Sequence, residues 1–199
     1  GRFMQNKVLI VGASGLVGTA AAISFARAGW LVVAASRRRP ELLEDANIEI
    51  VPMDLQDKEA CAAVCRKLKG VTHVVYTAVY ELPGLVAGWS DPNQIRINGQ
   101  MLENLLVSLT RSNRLQHVTL MQGTKAYGAM VGPMRVPARE CQPRVEHPNF
   151  YWVQEDFLRD HANRQDYTFT ILRPQMIVGP NHGVVMNLPP VVGVYAALR

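Results

Sequence analysis

The feature that most limits what this chain can fold into is a glycine-rich turn, Val11-Gly12-Ala13-Ser14-Gly15-Leu16-Val17-Gly18, set between an apolar run and a helical pattern. The run before it, Lys7-Val8-Leu9-Ile10-Val11, has the length and branching of a buried strand. A GxxGxxG between strand and helix is the start of a βαβ unit. Gly12 permits the tight turn, Gly15 lets backbone approach a pyrophosphate, and Gly18 lets the helix pack closely on the sheet. The helix N-terminus, where Ser14, Leu16 and Val17 lie, supplies N–H groups and the positive end of a dipole. A turn with only a structural role has the same local pattern, so the motif needs company.

That company is an alternation of apolar strand-length runs with amphipathic segments along the whole chain. Strands are expected near 7–12, 31–35, 48–51, 72–77, 116–121 and 168–172, and helices near 15–28, 57–68, 94–110 and 150–164. The class is therefore α/β, a Rossmann-type doubly wound parallel sheet with helices on both faces. Gly29 suits the end of the first helix, and Asp54 or Asp57 the start of the second. Residues 128–149, punctuated by Gly128, Gly132, Pro133, Pro137, Pro143 and Pro148, are expected to be a long functional loop.

The second predicted strand ends in Ser36-Arg37-Arg38, where NAD-binding units place an acidic residue on the ribose 2′-hydroxyl. Arginine there can pair a 2′-phosphate, which favours NADP(H); a solvated basic turn is the alternative. Met53-Asp54-Leu55 and Thr77-Ala78 follow the third and fourth strands, at the carboxyl edge where a dinucleotide runs. Asp54 has two readings here, a hydrogen bond to the adenine amino group or a helix cap.

Composition narrows the class further. With 199 residues, 48% of them hydrophobic and 19% charged, the chain suits one folded domain and excludes a disordered one. No apolar stretch reaches the roughly 18 residues of a membrane span, and no signal-peptide pattern opens the chain, so a cytoplasmic setting without membrane partners is expected. The net charge of +5 is spread thinly and lacks interleaved aromatics, which argues against nucleic acid. Cys61 and Cys65 read as reduced, buried helix positions, and the five histidines show no metal spacing, so no metal is expected.

The glycine motif, the arginine after strand two and Asp54-Leu55 resemble the extended and atypical short-chain dehydrogenase/reductases. Ordinary members carry a Tyr followed four residues on by a Lys, and no such pair exists here: Tyr151 is followed at that spacing by Glu155. The segments Gly123-Thr124-Lys125-Ala126-Tyr127-Gly128, Asn149-Phe150-Tyr151-Trp152-Val153-Gln154-Glu155-Asp156, Met186-Asn187-Leu188 and Val194-Tyr195-Ala196-Ala197 resemble the progesterone 5β-reductase/iridoid synthase-like branch. That resemblance implies Lys125 and Tyr151 as the catalytic pair. Gln122, Pro174 and Ile177 would then lie on the nicotinamide side, and Asn98 would support the lysine or be an exposed polar residue of its helix. It also implies a division into an NADP-binding domain, 1–180, and the start of a substrate-side segment, 181–199, whose continuation is expected beyond this chain.

The implied chemistry is NADPH-dependent reduction of an enone C=C bond, with hydride going to the β-carbon. Tyr151 would polarise the carbonyl, and a nearby Lys125 ammonium would favour its phenolate form. Lys125 has a second reading, on the nicotinamide ribose. The partner would be a small enone or carbonyl compound, with a homodimer compatible. The alternatives are a carbonyl reductase or sugar-nucleotide epimerase/dehydratase of the extended group, and a non-catalytic NADP-binding sensor.

Overall fold

A computed structural model describes residues 5–40, 47–82, 88–180 and 188–198. Its strands are β1 (Lys7–Val11), β2 (Leu31–Ser36), β3 (Ile48–Pro52), β4 (His73–Tyr76), β5 (His117–Met121) and β6 (Thr168–Leu172). Its helices are α1 (Leu16–Arg27), α2 (Lys58–Lys67), α3 (Pro92–Leu109), α4 (Phe150–Gln165) and α5 (Leu188–Ala197). All strand pairs are parallel, in the order β3-β2-β1-β4-β5-β6.

Strand side chains alternate between two cores. Leu9, Val11, Val33, Val74 and Leu120 pack with Cys61 and Cys65 of α2, Leu102 and Leu105 of α3, and Leu158 of α4. Val8, Ile10, Val32, Ala34 and Val75 pack with Ala22 and Ala26 of α1. Both faces of β1 and β2 are thus buried, which is why their sequences read as unbroken apolar runs rather than alternating ones. The strand order reverses between β1 and β4, so the chains leaving those strands part and open a crevice at the carboxyl edge.

Local chemistry sets the element ends. Gly29, at φ +81°, closes α1: Trp30 N–H donates to the Phe25 carbonyl and Gly29 N–H to that of Ala26, while the Phe25 and Trp30 rings meet edge to face. Asp57 caps α2 by accepting from Ala60 N at 2.9 Å. Asp91 caps α3, with Pro92 in its first turn, so that helix begins two residues before its apolar periodicity. Asn149 caps α4, accepting from Tyr151 N at 2.9 Å. Gly99 lets α4 sit close on α3, because a Cβ there would lie 2.7 Å from Val153 Cγ1.

Residues 128–149 contain no helix or strand, as expected. The apolar segment near the chain end forms α5, with Pro189 and Pro190 in its first turn, where a missing N–H breaks no helical bond. The Met186 and Asn187 expectations lie outside the described residues. Cys61 and Cys65 are buried free thiols, while Cys141 is free and exposed. Among the described residues, no helix is long and apolar enough to cross a membrane.

Candidate functional site

Backbone geometry at the end of β1 builds the first part of the site. Gly12 adopts φ +82°, and a Cβ there would lie 2.6 Å from Thr77 Oγ1 and 2.8 Å from Ala78 N. A Cβ at Gly18 would lie 2.1 Å from the Gly12 carbonyl oxygen, so α1 passes too close to the turn for any side chain. The Thr77 hydroxyl donates to the carbonyls of Val11 (2.7 Å) and Gly12 (3.2 Å), tying the chain after β4 to the glycine turn. Gly15 is the N-cap of α1, whose first turn carries no acidic side chain. An anion at this N-terminus meets no local negative charge.

On one side of the turn a cavity of about 200 Å³ is lined by Gly12, Ser14, Gly15, Ser36, Arg37, Asp54, Leu55, Thr77 and Ala78, among others. The Ser36 hydroxyl donates to the Arg38 carbonyl, which folds the basic turn back on β2. Arg37 borders the cavity, whereas Arg38 does not. Of the two readings of Asp54, the helix cap is excluded: Asp57 caps α2, while Asp54 accepts from Gln56 N at 3.0 Å and borders the cavity.

Gly15, Thr77, Ala78 and Val79 also border a second cavity of about 300 Å³, so the two form one crevice across the β1/β4 switch point. Its wall includes Leu16, Val17, Gln122, Tyr151 and Ile177 from the expected set, and Glu81, Trp89, Phe150 and Gln154 beyond it. Trp89 stacks on Phe150 (centroids 4.6 Å apart) and meets Tyr151 edge to face (5.3 Å). The point where a Gly123 Cβ would stand lies 3.2 Å from the Tyr151 hydroxyl and 3.5 Å from the Pro174 carbonyl oxygen, so those two groups converge.

Two buried amide oxygens on this wall, Gln122 Oε1 and Gln154 Oε1, have no protein partner, although Gln122 Nε2 donates to the Tyr151 carbonyl at 2.9 Å. Buried acceptors without donors are costly. The fit to a dinucleotide rests on the glycine cradle and the open α1 N-terminus, which match a pyrophosphate.

The expected Lys125–Tyr151 phenolate is corrected. Lys125 Nζ lies 3.2 Å from the Trp89 ring centroid, a cation–π contact, and the charges that shift Tyr151 do not include it. Burial, together with the Glu81 charge, raises the Tyr151 pKa well above the ordinary tyrosine value. Burial therefore favours the protonated hydroxyl over the phenolate. Burial also lowers Lys125, to about 8, partly opposed by Glu81.

Asn98 is fully buried, which excludes the reading of an exposed polar residue on its helix. Its side chain accepts from Tyr80 N at 2.8 Å and donates to the Tyr80 carbonyl at 2.7 Å, while Gln94 Oε1 accepts from Leu82 N at 2.8 Å. These two fully buried amides, one turn apart on α3, act as a strand partner for residues 80–82 and hold Glu81 at the cavity wall. Nothing in the local pattern around Trp89, Glu81 or Gln94 signals these contacts, which join elements far apart in sequence.

The model of the NAD-dependent epimerase/dehydratase family matches residues 8–192. The chain belongs to that family. Curated relatives of this family member include a 3-oxo-Delta(4,5)-steroid 5-beta-reductase of Arabidopsis thaliana, 32% identical over 98% of this chain and 52% of the relative. They also include an (S)-8-oxocitronellyl enol synthase of Catharanthus roseus, 29% identical over 98% of this chain and 51% of the relative. The chain spans about half the length of these relatives, which bear out the resemblance to the 5β-reductase/iridoid synthase branch of the extended reductases. Among solved structures, a UDP-glucose 4-epimerase superposes with a TM-score of 0.74 at 18% identity, covering 98% of this chain and 61% of that one. The Bordetella bronchiseptica enzyme WbmH in complex with NAD+ superposes at 0.70 and 22%, covering 98% and 64%. At those identities they establish the family's Rossmann fold for this member.

Proposed function

We propose that this chain carries the cofactor crevice and the carbonyl-polarising tyrosine of an NADPH-dependent oxidoreductase that reduces a C=C bond conjugated to a carbonyl. The observation that carries the reading is the Tyr151 hydroxyl, converging with the Pro174 carbonyl at Gly123 on the cavity wall shared with Gln122 and Gln154. The names of the steroid reductase and enol synthase relatives support it.

Gly12, Gly15, Gly18 and the α1 N-terminus would hold the pyrophosphate, Arg37 the 2′-phosphate, and Thr77, Ala78, Gln122, Pro174 and Ile177 the middle and nicotinamide side. Bound there, the cofactor supplies a hydride. Tyr151 donates a hydrogen bond to the carbonyl oxygen as negative charge grows on it, and its raised pKa keeps the proton in place for that task. Lys125, held on Trp89, keeps a positive charge near the same wall. Trp89, Phe150 and Met121 exclude water and suit a small apolar substrate.

The test is NADPH oxidation with a panel of small enones, for the wild-type chain and for Tyr151→Phe. The expected result is enone turnover that falls by roughly 10²–10³ in kcat in the variant, with NADPH affinity retained. Turnover of a simple ketone or a sugar nucleotide in place of every enone overturns the enone reading. NADPH binding without turnover of any of them points to the sensor.

A further inference from the structure

One turn after Tyr151 on α4 stands Glu155, a buried carboxylate that the proposed chemistry does not use. Arginines from three separate segments reach it. Arg173 Nη2 donates to Glu155 Oε2 at 2.9 Å. Arg159, on α4 itself, donates to Oε1 through Nε (3.1 Å) and Nη2 (2.8 Å). Arg144, from the 128–149 segment, lies 3.7 Å from Oε1 while bonding Asp156 at 2.6 Å.

The Arg173 arm differs from the others in what it adjoins. Arg173 is mostly buried, at 17% side-chain exposure, and its guanidinium also lies over the Tyr127 ring (5.3 Å) and the Trp152 ring (5.8 Å). The next residue is Pro174, whose carbonyl converges with the Tyr151 hydroxyl at Gly123, and Ile177 beyond it lines the cavity. The preceding residue, Leu172, accepts from Gln122 N at 2.8 Å. The turn leaving β6 is therefore pinned on one side by the backbone and on the other by a charged bond to the helix that bears Tyr151.

We propose that Glu155 is a positioning residue: through Arg173 it fixes the Arg173–Pro174 turn relative to Tyr151, and so sets the geometry of the nicotinamide side of the crevice. The proposal rests on the cofactor reading, but not on which substrate is reduced. A carboxylate suits this place because it can accept from several guanidiniums at once, whereas an amide retains a single acceptor oxygen.

The experiment compares Kd for NADPH with Kd for 2′,5′-ADP, which lacks the nicotinamide half, in the 199-residue chain by fluorescence and calorimetric titration. Glu155→Gln and Arg173→Met are each expected to weaken NADPH by about ten-fold, as loss of a charge-assisted hydrogen bond would, and to leave 2′,5′-ADP unchanged. The double variant is expected to be no weaker than either single one, because both act through one contact. Arg173→Lys, which keeps one charged donor, should recover part of the loss. Arg159→Met removes a partner of the same carboxylate but leaves the Pro174 turn tethered, so it should lower Tm without moving the ratio of the two constants.

An unchanged ratio in Glu155→Gln and Arg173→Met, or an equal change in Arg159→Met, overturns the proposal. If Glu155→Gln fails to fold, Arg173→Met and Arg173→Lys decide it alone. A wild-type chain that binds neither molecule overturns the cofactor reading and this assignment together, so the two failures are distinguishable.

Discussion

Lys125 gives the sharpest test of the site's electrostatics. Burial lowers its pKa from 10.5 to about 8, with Glu81 opposing part of that fall. A lysine with a midpoint near pH 8 is about nine-tenths charged at pH 7 and about one-tenth charged at pH 9. If its charge holds the cofactor or the developing oxyanion, kcat/KM for NADPH falls about ten-fold between those pH values, and the falling limb belongs to the free protein. Tyr151 contributes no limb in that range, because burial raises its pKa. The sign matters: a phenolate mechanism would make activity rise with pH, and this geometry makes it fall. Lys125→Arg keeps its charge to far higher pH, so it should flatten the profile while retaining activity at pH 9, whereas Lys125→Met should be low and flat throughout. The measurement is a steady-state pH series from 6 to 9.5 on all three proteins, at constant ionic strength. A rising wild-type profile refutes the neutral-tyrosine argument. A falling limb that survives in Lys125→Arg assigns the titration to another group.

Two further predictions address the cofactor turn. Arg37→Ser should reduce the preference for NADPH over NADH by about five- to ten-fold, less than a buried charged hydrogen bond is worth because Arg37 is exposed; equal wild-type affinities for the two nucleotides would refute the assignment. Gly18→Ala gains about 1 kcal/mol in helix propensity, yet its Cβ meets the Gly12 backbone, which cannot yield as a side-chain tip can. Overpacking there costs about 1–3 kcal/mol or more, so urea denaturation should show net destabilisation with NADPH affinity lost, and unchanged stability would refute the close approach.

The fold was legible because its sheet writes itself into the sequence twice. Strands covered on both faces must be apolar throughout, so β1 and β2 stand out as runs, and the glycine turn can exist only at the carboxyl end of the first of them. Boundaries shifted where capping outweighed periodicity. The start of α3 moved to Pro92 because Asp91 accepts from Asn93 N and Gln94 N ahead of the first apolar residue of the stripe. The edge strand β6 keeps its expected range, even though its side chains alternate between half-buried and exposed.

Most of the expected residues line one crevice, but their pairings were not written in the sequence, and the surroundings of Lys125 show why. A motif match carries residue type from one chain to another, whereas an ammonium's partner is decided by what packs within a few ångströms of it. Here that partner is Trp89, in a short turn before α3, brought in by stacking on Phe150 at the start of α4. An aromatic face stabilises a cation without accepting its proton, so Lys125 remains a charge behind Trp89. Burial then acts on Tyr151 unopposed by Lys125 and holds it neutral. The same logic applies to Asn98 and Gln94, whose fully buried amides pair with the Tyr80–Leu82 backbone because a buried amide needs hydrogen-bond partners from somewhere. Each missed contact joins residues on different elements, and each disposes of a buried charge or polar group, a requirement that arises only once the fold has removed water.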